Sequence, residues 1–293
     1  VSSSHEDERR ATNWSWAPAG SNRFTAAVIP ASPANVAARR TASGSICSSS
    51  AMAVAASGSG HILSFNPVHT ITAPVTAPIV VTPHFTYLGH TCDGPTQQFT
   101  ITVNPTAQVA DPADQVVCNT DNTAAVTFTT DRTGGTTTYD WTNDTPSIGL
   151  AASGSGNIAS FVATNAGTSP VTATITVTPS FENGTVSCTG PQQTFTITVN
   201  PTAQVTDPAD QVVCNAEATA DVIFTTDRTV GVTTYTWTND TPGIGLAASG
   251  SGNIASFAAV NGGSSPVVAT ITVTPHFENG SVVCDGPTEE FTI

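Results

Sequence analysis

Lysine is absent from this 293-residue chain, and all seven of its positive charges are arginines. Against 21 acidic residues they leave a formal net charge of −14. Such a surface cannot neutralise phosphates, so nucleic acid is excluded as a partner. Without lysine, the chain also cannot form an internal lysine–asparagine isopeptide bond. Uninterrupted apolar runs long enough for a membrane-spanning helix are missing as well.

The sequence also lacks the patterns that mark helices, metal sites and phosphate loops. No segment combines a 3.6-residue apolar period with capping residues. Neither Cys-x-x-Cys nor Asp-x-Asp-x-Asp occurs, and the Ser-Gly-Ser-Gly at residues 153–156 opens no helix. The residues after Val1 do not resemble a signal peptide, and Ile293 stands within a recurring phrase. We therefore expect a window from a longer array, with targeting signals outside it.

What the chain does contain is a tandem repeat of domain size. The block that starts at Asn104 recurs from Asn200, 96 residues later, and only 22 of 94 aligned positions differ. Repeats of this size fold as separate units stacked along the chain. We predict three units, at residues 1–103, 104–199 and 200–293. The first is diverged and in register only from about residue 55, and the third is truncated at its last strand.

Alternation of apolar residues with threonine predicts β-strands throughout the repeat. In residues 171–178, valine, alanine and isoleucine share one face and threonines the other, and residues 194–199 form the expected partner strand. Asn183 and Gly184 between them predict a hairpin turn. Further strands are predicted at residues 124–129, 137–142 and 158–163. The fold class is therefore all-β, with tandem Ig-like β-sandwich domains arranged end to end.

The predicted linkers are residues 103–107 and 199–203, each built around Asn-Pro. Proline fixes its own φ and biases the preceding residue towards extended conformations. We therefore expect short, stiff joints between the units.

The cysteines recur in register, and their spacing predicts one disulfide per repeat. Cys118 and Cys188 lie 70 residues apart, as do Cys214 and Cys284. We predict the pairs Cys118–Cys188 and Cys214–Cys284, each tying the opening segment of a domain to its closing hairpin. In the first unit Cys47 is the only local partner for Cys92. Disulfides place the chain in an oxidising, extracytoplasmic compartment, whereas free buried thiols are the alternative.

Carboxylates beside the linkers are candidates for a calcium site that would stiffen the array. The candidate ligands are Asp111, Asp114, Asp131, Asp207, Asp210 and Asp227. The alternative is a solvated turn in which aspartate caps backbone amides, and the missing Asp-x-Asp-x-Asp pattern favours it. No cofactor is therefore expected, and calcium is the one candidate.

Histidine and tryptophan positions favour structure over catalysis or sugar binding. His84 and His276 occupy one repeat position where the middle repeat has Ser180, a change that a general base would not tolerate. Trp141 and Trp237 lie in a middle strand, where a core tryptophan packs against the opposing sheet. We predict that the chain is not an enzyme.

Four phrases in order carry a resemblance to a known family. They are Gln-Val-Val-Cys-Asn at residues 115–119, Thr-Tyr-Asp-Trp-Thr-Asn at 138–143, the Gly-Ser-rich stretch 148–161 and Thr-Ile-Thr-Val-Thr-Pro at 174–179. Together they resemble PKD-like repeats of giant Bacteroidota cell-surface proteins, such as gliding adhesins and extracellular filaments. The resemblance implies an Ig-like sandwich, export by the type IX route, and a role in attachment, gliding or prey and substrate capture. It supplies no catalytic residues.

These observations predict a non-catalytic structural repeat segment of a long extracellular adhesin or filament at the bacterial cell surface. In the alternative, the repeats themselves bind surface glycans or calcium. A third hypothesis is an accessory region of a secreted hydrolase. Because the outward faces are threonine-rich and nearly uncharged, we also expect self-association into a homo-oligomeric filament or bundle.

Overall fold

A computed structural model describes residues 57–67 and 71–293, together with the backbone of residues 44–48. Regular structure in this part consists of β-strands and two single-turn 3₁₀ helices, at Pro146–Ile148 and Pro242–Ile244. The prediction of an all-β fold is confirmed. The predicted irregularity of residues 1–54 falls mostly outside the described residues.

The strands of the described residues are numbered here in chain order. They are β1 (Gly44–Ser48), β2 (Val75–Val81), β3 (His84–Tyr87), β4 (His90–Asp93), β5 (Gln97–Pro105), β6 (Gln115–Cys118), β7 (Thr136–Asn143), β8 (Ser153–Ser155), β9 (Val171–Asn183), β10 (Val186–Thr189), β11 (Gln193–Asn200), β12 (Val232–Asn239), β13 (Ser249–Ser251), β14 (Thr270–Asn279), β15 (Val282–Asp285) and β16 (Glu289–Thr292).

The described residues belong to two compact units. One contains residues 82–96, which form the antiparallel hairpin β3–β4 and are closed by a hydrogen bond from the Gly94 amide to the Pro83 carbonyl oxygen at 2.9 Å. The other contains residues 44–48, 57–67, 71–81 and 97–293. In this second unit, β5 pairs in parallel with β1 and antiparallel with β2.

The middle repeat is organised around a sheet in the order β6-β11-β9-β7-β8, with β10 also paired to β9. The predicted alternation in β9 is confirmed, because Ala173, Ile175 and Val177 are fully buried while the intervening threonines are only partly covered. Strand β11 pairs antiparallel with β9 and places Phe195 opposite Ile175. These side chains form one face of the apolar core.

The second layer of each sandwich has less regular pairing than predicted. Residues 124–129 and 158–163 meet through isolated bridges such as Val126 with Ile158, and not through continuous strands. The predicted strand at residues 137–142 lies within β7 and buries Trp141, and β12 buries Trp237 in the same way. The prediction of a tryptophan in each core is confirmed.

The last repeat has the same plan, with strands in the order β13-β12-β14-β15 and β16 paired to β14. Its core contains Val205, Phe224, Trp237, Ile271 and Phe291. The molecule therefore contains two consecutive β-sandwich sheet groups of the same type.

The hairpin turn lies one residue later than predicted. Asn183 is still paired, opposite Val186, so that Gly184 and Thr185 form the two-residue loop. Strands β10 and β11 then follow each other along the same edge of β9. This register leaves the Asn183 side chain available for a contact outside the turn.

Candidate functional site: the joint between consecutive repeats

A disulfide joins the middle repeat to the last repeat. Cys118 at the end of β6 is bonded to Cys284 in β15, with a Cα–Cα distance of 5.5 Å and a sequence separation of 166 residues. Both predicted pairings, Cys118–Cys188 and Cys214–Cys284, are therefore wrong. The disulfide connects successive domains and does not close a loop within one domain.

The physical reason is that the two cysteines of one repeat lie at opposite ends of its sheet. Cys118 pairs opposite Asn200, next to the pair of Val199 with Val171 at the start of β9. Cys188 pairs opposite Phe181, towards the other end of β9. The ten residues of strand between Val171 and Phe181 span about 33 Å, far beyond the reach of a disulfide.

The remaining cysteines also depart from the predicted pattern. Cys92 and Cys214 are exposed and unbonded, so the predicted Cys47–Cys92 pair is wrong as well. Cys188 is disulfide-bonded, though not to Cys118. The backbone of β1 places Cys47 opposite Asn104, the register position that Cys118 occupies opposite Asn200.

Two asparagines form hydrogen bonds across the joint beside the disulfide. The Asn279 Nδ2 donates to Asn200 Oδ1 at 2.8 Å, and the Asn200 Nδ2 donates to the Asn279 carbonyl oxygen at 3.0 Å. Asn200 is fully buried, so both ends of its amide need such partners. In the preceding joint the Asn183 Nδ2 donates to Asn104 Oδ1 in the same way, at 2.8 Å.

Glycines allow the hairpin of the last repeat to approach the middle repeat and the linker. A Cβ on Gly280, at the hairpin tip, would lie 3.2 Å from Val116 Cγ2 on β6. A Cβ on Gly286, after β15, would overlap the carbonyl of Ala203 in the linker. The linker itself is buried at Asn200 and Ala203. The joint is thus a packed interface.

Arg228 holds the linker from the side of the last repeat. Its Nε donates to the Thr202 carbonyl oxygen at 2.7 Å, and its Nη1 donates to the Gly167 carbonyl oxygen of the middle repeat at 3.3 Å. The adjacent amide of Thr229 donates to the Thr168 carbonyl oxygen at 2.9 Å. One cation therefore connects the linker and a loop of the preceding domain.

The preceding joint is built with equivalent residues. Arg132 Nε donates to the Thr106 carbonyl oxygen at 2.8 Å, and the Thr133 amide donates to the Thr72 carbonyl oxygen at 3.0 Å. One difference is that Asn104 Nδ2 has no hydrogen-bond partner among the described residues. The two joints therefore share most of their hydrogen bonds and differ at Asn104.

The candidate calcium ligands form other contacts. Asp114 and Asp210 each accept a backbone amide of the last strand of their repeat, from Thr196 and Thr292, both at 2.6 Å. Within the part of the chain that the structure describes, no three histidine, cysteine, aspartate or glutamate side chains come together as metal ligands. Calcium binding stays a prediction, and these positions add no support to it.

Of the other candidates, Asp131 and Asp227 form surface ion pairs with the neighbouring arginines. Asp131 lies 3.2 Å from Arg132 Nη1, and Asp227 lies 3.4 Å from Arg228 Nη1. Asp111 is exposed and Asp207 is exposed, both in the segment that follows the linker. These carboxylates are solvated or paired with arginine.

A hydroxyl, an imidazole and a carboxylate line up on the outward face of the last repeat. Thr236 Oγ1 lies 2.9 Å from His276 Nε2, and His276 Nδ1 lies 2.6 Å from Asp285 Oδ1. Hydrolases use this order of groups together with free amides that stabilise an oxyanion. Here β12 pairs with β13 and β14, and β14 also pairs with β15 and β16, so the amides of both strands are engaged in the sheet.

The same positions in the middle repeat carry Asp140, Ser180 and Thr189. Ser180 Oγ there bonds Ser187 Oγ at 2.7 Å instead. The arrangement is thus a polar cross-strand contact that varies between repeats.

Sequence reasoning missed the residues that build the joint. Arg132 and Arg228 are the only cations in the two regular repeats, and they stand at the same repeat position. The asparagine at the hairpin tip also recurs, at Asn183 and Asn279. Both recurrences were visible signals, but the asparagines bind partners 79 residues away, and Arg228 also binds a carbonyl oxygen of the preceding repeat.

Comparisons with known proteins find only distant similarities to solved structures. No protein-family model and no curated protein matches the chain. Among solved structures it is similar to the FN1–FN3 domains of chicken CNTN1, with 12% identity and a TM-score of 0.31 over 74% of this chain and 75% of that chain. It is also similar to mouse Protocadherin-24 EC1–3, with 12% identity and a TM-score of 0.32 over 89% of this chain and 99% of that chain. A third similar structure is that of titin domains A168–A170, with 11% identity and a TM-score of 0.29 over 73% of each chain.

These neighbours are tandem-domain proteins, and likeness at this level carries no argument about ligands or partners. Among the described residues, no helix has the length and apolar character needed to cross a bilayer.

Proposed function

We propose that this chain is a non-catalytic structural repeat segment of a long extracellular adhesin or filament, whose function lies in its covalently linked joints. The observation that carries the proposal is the Cys118–Cys284 disulfide between consecutive sandwiches. A disulfide within one domain stabilises that domain only. A disulfide across a joint adds a second covalent link between neighbouring domains, beside the main chain.

The contacts around the disulfide support a mechanical role for the joint. The joint combines a buried linker, the paired amides of Asn200 and Asn279, and the bonds from Arg228 to two carbonyl oxygens. Domain pairs that move freely have few such contacts. A joint of this kind resists bending and separation under shear.

The setting we propose is the outside of a bacterial cell. Disulfides persist in oxidising compartments. The motif resemblance to PKD-like repeats of Bacteroidota surface proteins supports the same location and a part in attachment, gliding or prey capture. Self-association into a filament or bundle belongs to this proposal, with the threonine-rich outward faces of β9 and β11 as the contact surface.

Force spectroscopy on the purified chain, pulled from its two ends, tests the proposal. With the disulfide intact, the 166-residue segment that it closes cannot extend. Reduction should release about 550–600 Å of additional contour length, since an extended residue spans about 3.3–3.6 Å. Equal contour lengths before and after reduction would show that the applied force does not pass through the disulfide. Specific binding of the chain to a glycan array would favour the alternative of an adhesive module.

A further inference from the structure

The disulfide partner of Cys188 follows from the pairing of the other cysteines. Cys188 is disulfide-bonded and buried. The chain contains six cysteines. Cys118 and Cys284 are bonded to each other, and two exposed cysteines are unbonded. Within the chain, Cys47 is the cysteine that is left.

The backbone of β1 places Cys47 at the register position that such a bond requires. Strand β1 pairs in parallel with β5 and puts Cys47 opposite Asn104. In the same way, β6 pairs in parallel with β11 and puts Cys118 opposite Asn200. Asn104 and Asn200 stand 96 residues apart, at the same repeat position. At the preceding joint, Cys47 therefore has the register that Cys118 has at the joint of the last repeat.

The hairpin cysteines of the two joints are also equivalent. Cys188 on β10 lies opposite Phe181. Cys284 on β15 lies opposite Phe277, and both cysteines are buried. Strand β10 lies close to β1, as β15 lies close to β6. The strands that carry the Cys118–Cys284 bond therefore have counterparts in β1 and β10.

Contacts beside these cysteines are repeated as well. The Asn183 Nδ2 donates to Asn104 Oδ1 at 2.8 Å, the distance found between the equivalent asparagines at the joint of the last repeat. A Cβ on Gly190, after β10, would overlap the carbonyl of Ala107 in the linker. The glycine after β15 has the same relation to its own linker. The hairpin of the middle repeat therefore approaches its linker as closely as that of the last repeat does.

We propose that Cys188 is bonded to Cys47, so that the disulfides of consecutive joints interleave along the chain. The order of the four residues is Cys47, Cys118, Cys188 and Cys284, and each bond encloses one cysteine of the other. The inference deepens the proposed function and rests on it, since both bonds belong to the same kind of joint.

Formation of the bond is a thiol–disulfide exchange with a disulfide oxidant such as oxidised glutathione. The thiolate of one cysteine attacks the oxidant, forms a mixed disulfide and releases one glutathione thiolate. The thiolate of the other cysteine then attacks the protein sulfur of the mixed disulfide and releases the second. Two protein thiols are oxidised, one glutathione disulfide is reduced to two thiols, and the two protons pass to the released thiolates.

Interleaved disulfides keep the repeats joined after a single break in the main chain. The Cys47–Cys188 bond bridges any break between the two residues that it connects. The Cys118–Cys284 bond does the same for its own segment. These segments overlap at residues 118–188, so every peptide bond from residue 47 to residue 284 is covered. One disulfide within each repeat would leave the linker at residues 199–203 uncovered, whereas the interleaved chain stays continuous after one proteolytic cut.

The absence of lysine makes trypsin a sharp test of this arrangement. Trypsin cleaves after arginine, and beyond residue 40 the chain has only Arg132 and Arg228. Complete digestion therefore leaves three large pieces, residues 41–132, 133–228 and 229–293. The Cys118–Cys284 bond holds the first piece to the third, and the proposed bond holds the first piece to the second.

The test is to alkylate the free thiols of the purified oxidised chain, digest it with trypsin in denaturant, and determine the masses of the products before and after reduction. We expect one species that contains all three pieces before reduction, and three separate pieces afterwards. Cys188→Ser and Cys47→Ser should each release residues 133–228 without reduction. Cys92→Ser is the matched control, because it removes an unbonded cysteine of the first piece and should release nothing.

Release of residues 133–228 from the parent chain before reduction would overturn the proposal, and so would their release by Cys92→Ser. A species of doubled mass, joined through Cys188 to a second copy, would overturn it as well. Release of residues 229–293 would contradict both this proposal and the Cys118–Cys284 joint of the proposed function. The piece that is released therefore distinguishes the two failures.

Discussion

At the scale of single residues, the joint depends on a few polar side chains that hydrogen-bond to groups within it. Arg228 is the clearest case, because its side chain is only 16% exposed and its donors are directed at backbone carbonyls. Its ion pair with Asp227 is peripheral, since that carboxylate is 61% exposed. The hydrogen bonds, and not the ion pair, should carry most of the stabilisation.

Replacement of Arg228 by methionine keeps the length of the stem and removes the donors to Thr202 and Gly167. We expect a loss of about 1.5–3 kcal/mol in the free energy of unfolding, the usual value for hydrogen bonds from a charged group. Denaturant unfolding measures it. The control Asp227→Asn removes only the exposed partner and should cost less than about 1 kcal/mol. Equal losses in the two variants would show that the ion pair dominates.

Asp144 and Asp240 make stability depend on pH. Bonds from the amides of Thr174 and Thr270 and from the hydroxyls of Thr145 and Thr241 lower the pKa of both carboxyls below the ordinary 3.8. A lowered pKa stabilises the fold above the ordinary value, and this contribution is lost as the pH falls through the folded-state pKa.

We therefore expect the melting temperature to fall between about pH 5 and pH 2, and less so in the Asp144→Asn/Asp240→Asn variant, which has no carboxyl to protonate at these sites. Thermal unfolding across this range, with carboxyl titration by NMR, is the measurement. A variant with the same pH dependence as the parent would assign the effect to other carboxyls.

At the scale of elements, a short strand packs against the core tryptophan of each sandwich. Strand β13 pairs with β12 so that Gly250 lies opposite Trp237. A Cβ on Gly250 would overlap the indole ring, and Gly154 stands in the same relation to Trp141. Glycine is required here because the ring occupies the space of a side chain.

Gly250→Ala should therefore displace Trp237 and destabilise the last repeat by about 1–3 kcal/mol, the usual cost of overpacking. Tryptophan fluorescence during denaturant unfolding reports both the displacement and the loss. Gly243→Ala is the matched control, because nothing lies within 4 Å of its Cβ position and the middle repeat already has Ser147 there. Similar losses in both variants would count against the contact with the ring.

At the scale of the whole molecule, the disulfide between consecutive repeats should couple their unfolding. Closing a loop across 166 residues stabilises the folded state by about 5 kcal/mol in the loop-entropy model. Because the loop includes parts of both sandwiches, this stabilisation is shared between them.

The Cys118→Ser/Cys284→Ser variant should unfold in two steps, with each sandwich melting separately and earlier than in the parent. Calorimetry should show one transition for residues 104–293 in the oxidised parent and two in the variant. Cys214→Ser is the matched control, since it removes an unbonded cysteine. A variant that melts like the parent would show that noncovalent contacts alone couple the domains.

The sequence by itself determined the repeat, the all-β class, the strand pair at residues 171–178 and 194–199, and the core tryptophans. These follow from local alternation, because side-chain direction in a strand has a period of two. The second layer was less predictable, since Val126 and Ile158 meet through isolated bridges whose existence depends on the opposite sheet.

Only the tertiary structure decided the partners of the cysteines and the role of the hairpin asparagines. Spacing along the chain placed Cys118 and Cys188 in one repeat, yet the antiparallel course of β9 and β11 puts them at opposite ends of the sheet. Cys284 reaches Cys118 because the hairpin of one repeat extends beyond its own sandwich to the preceding repeat. Contacts between domains depend on how folded units stack, and residue spacing within one unit carries no information about that.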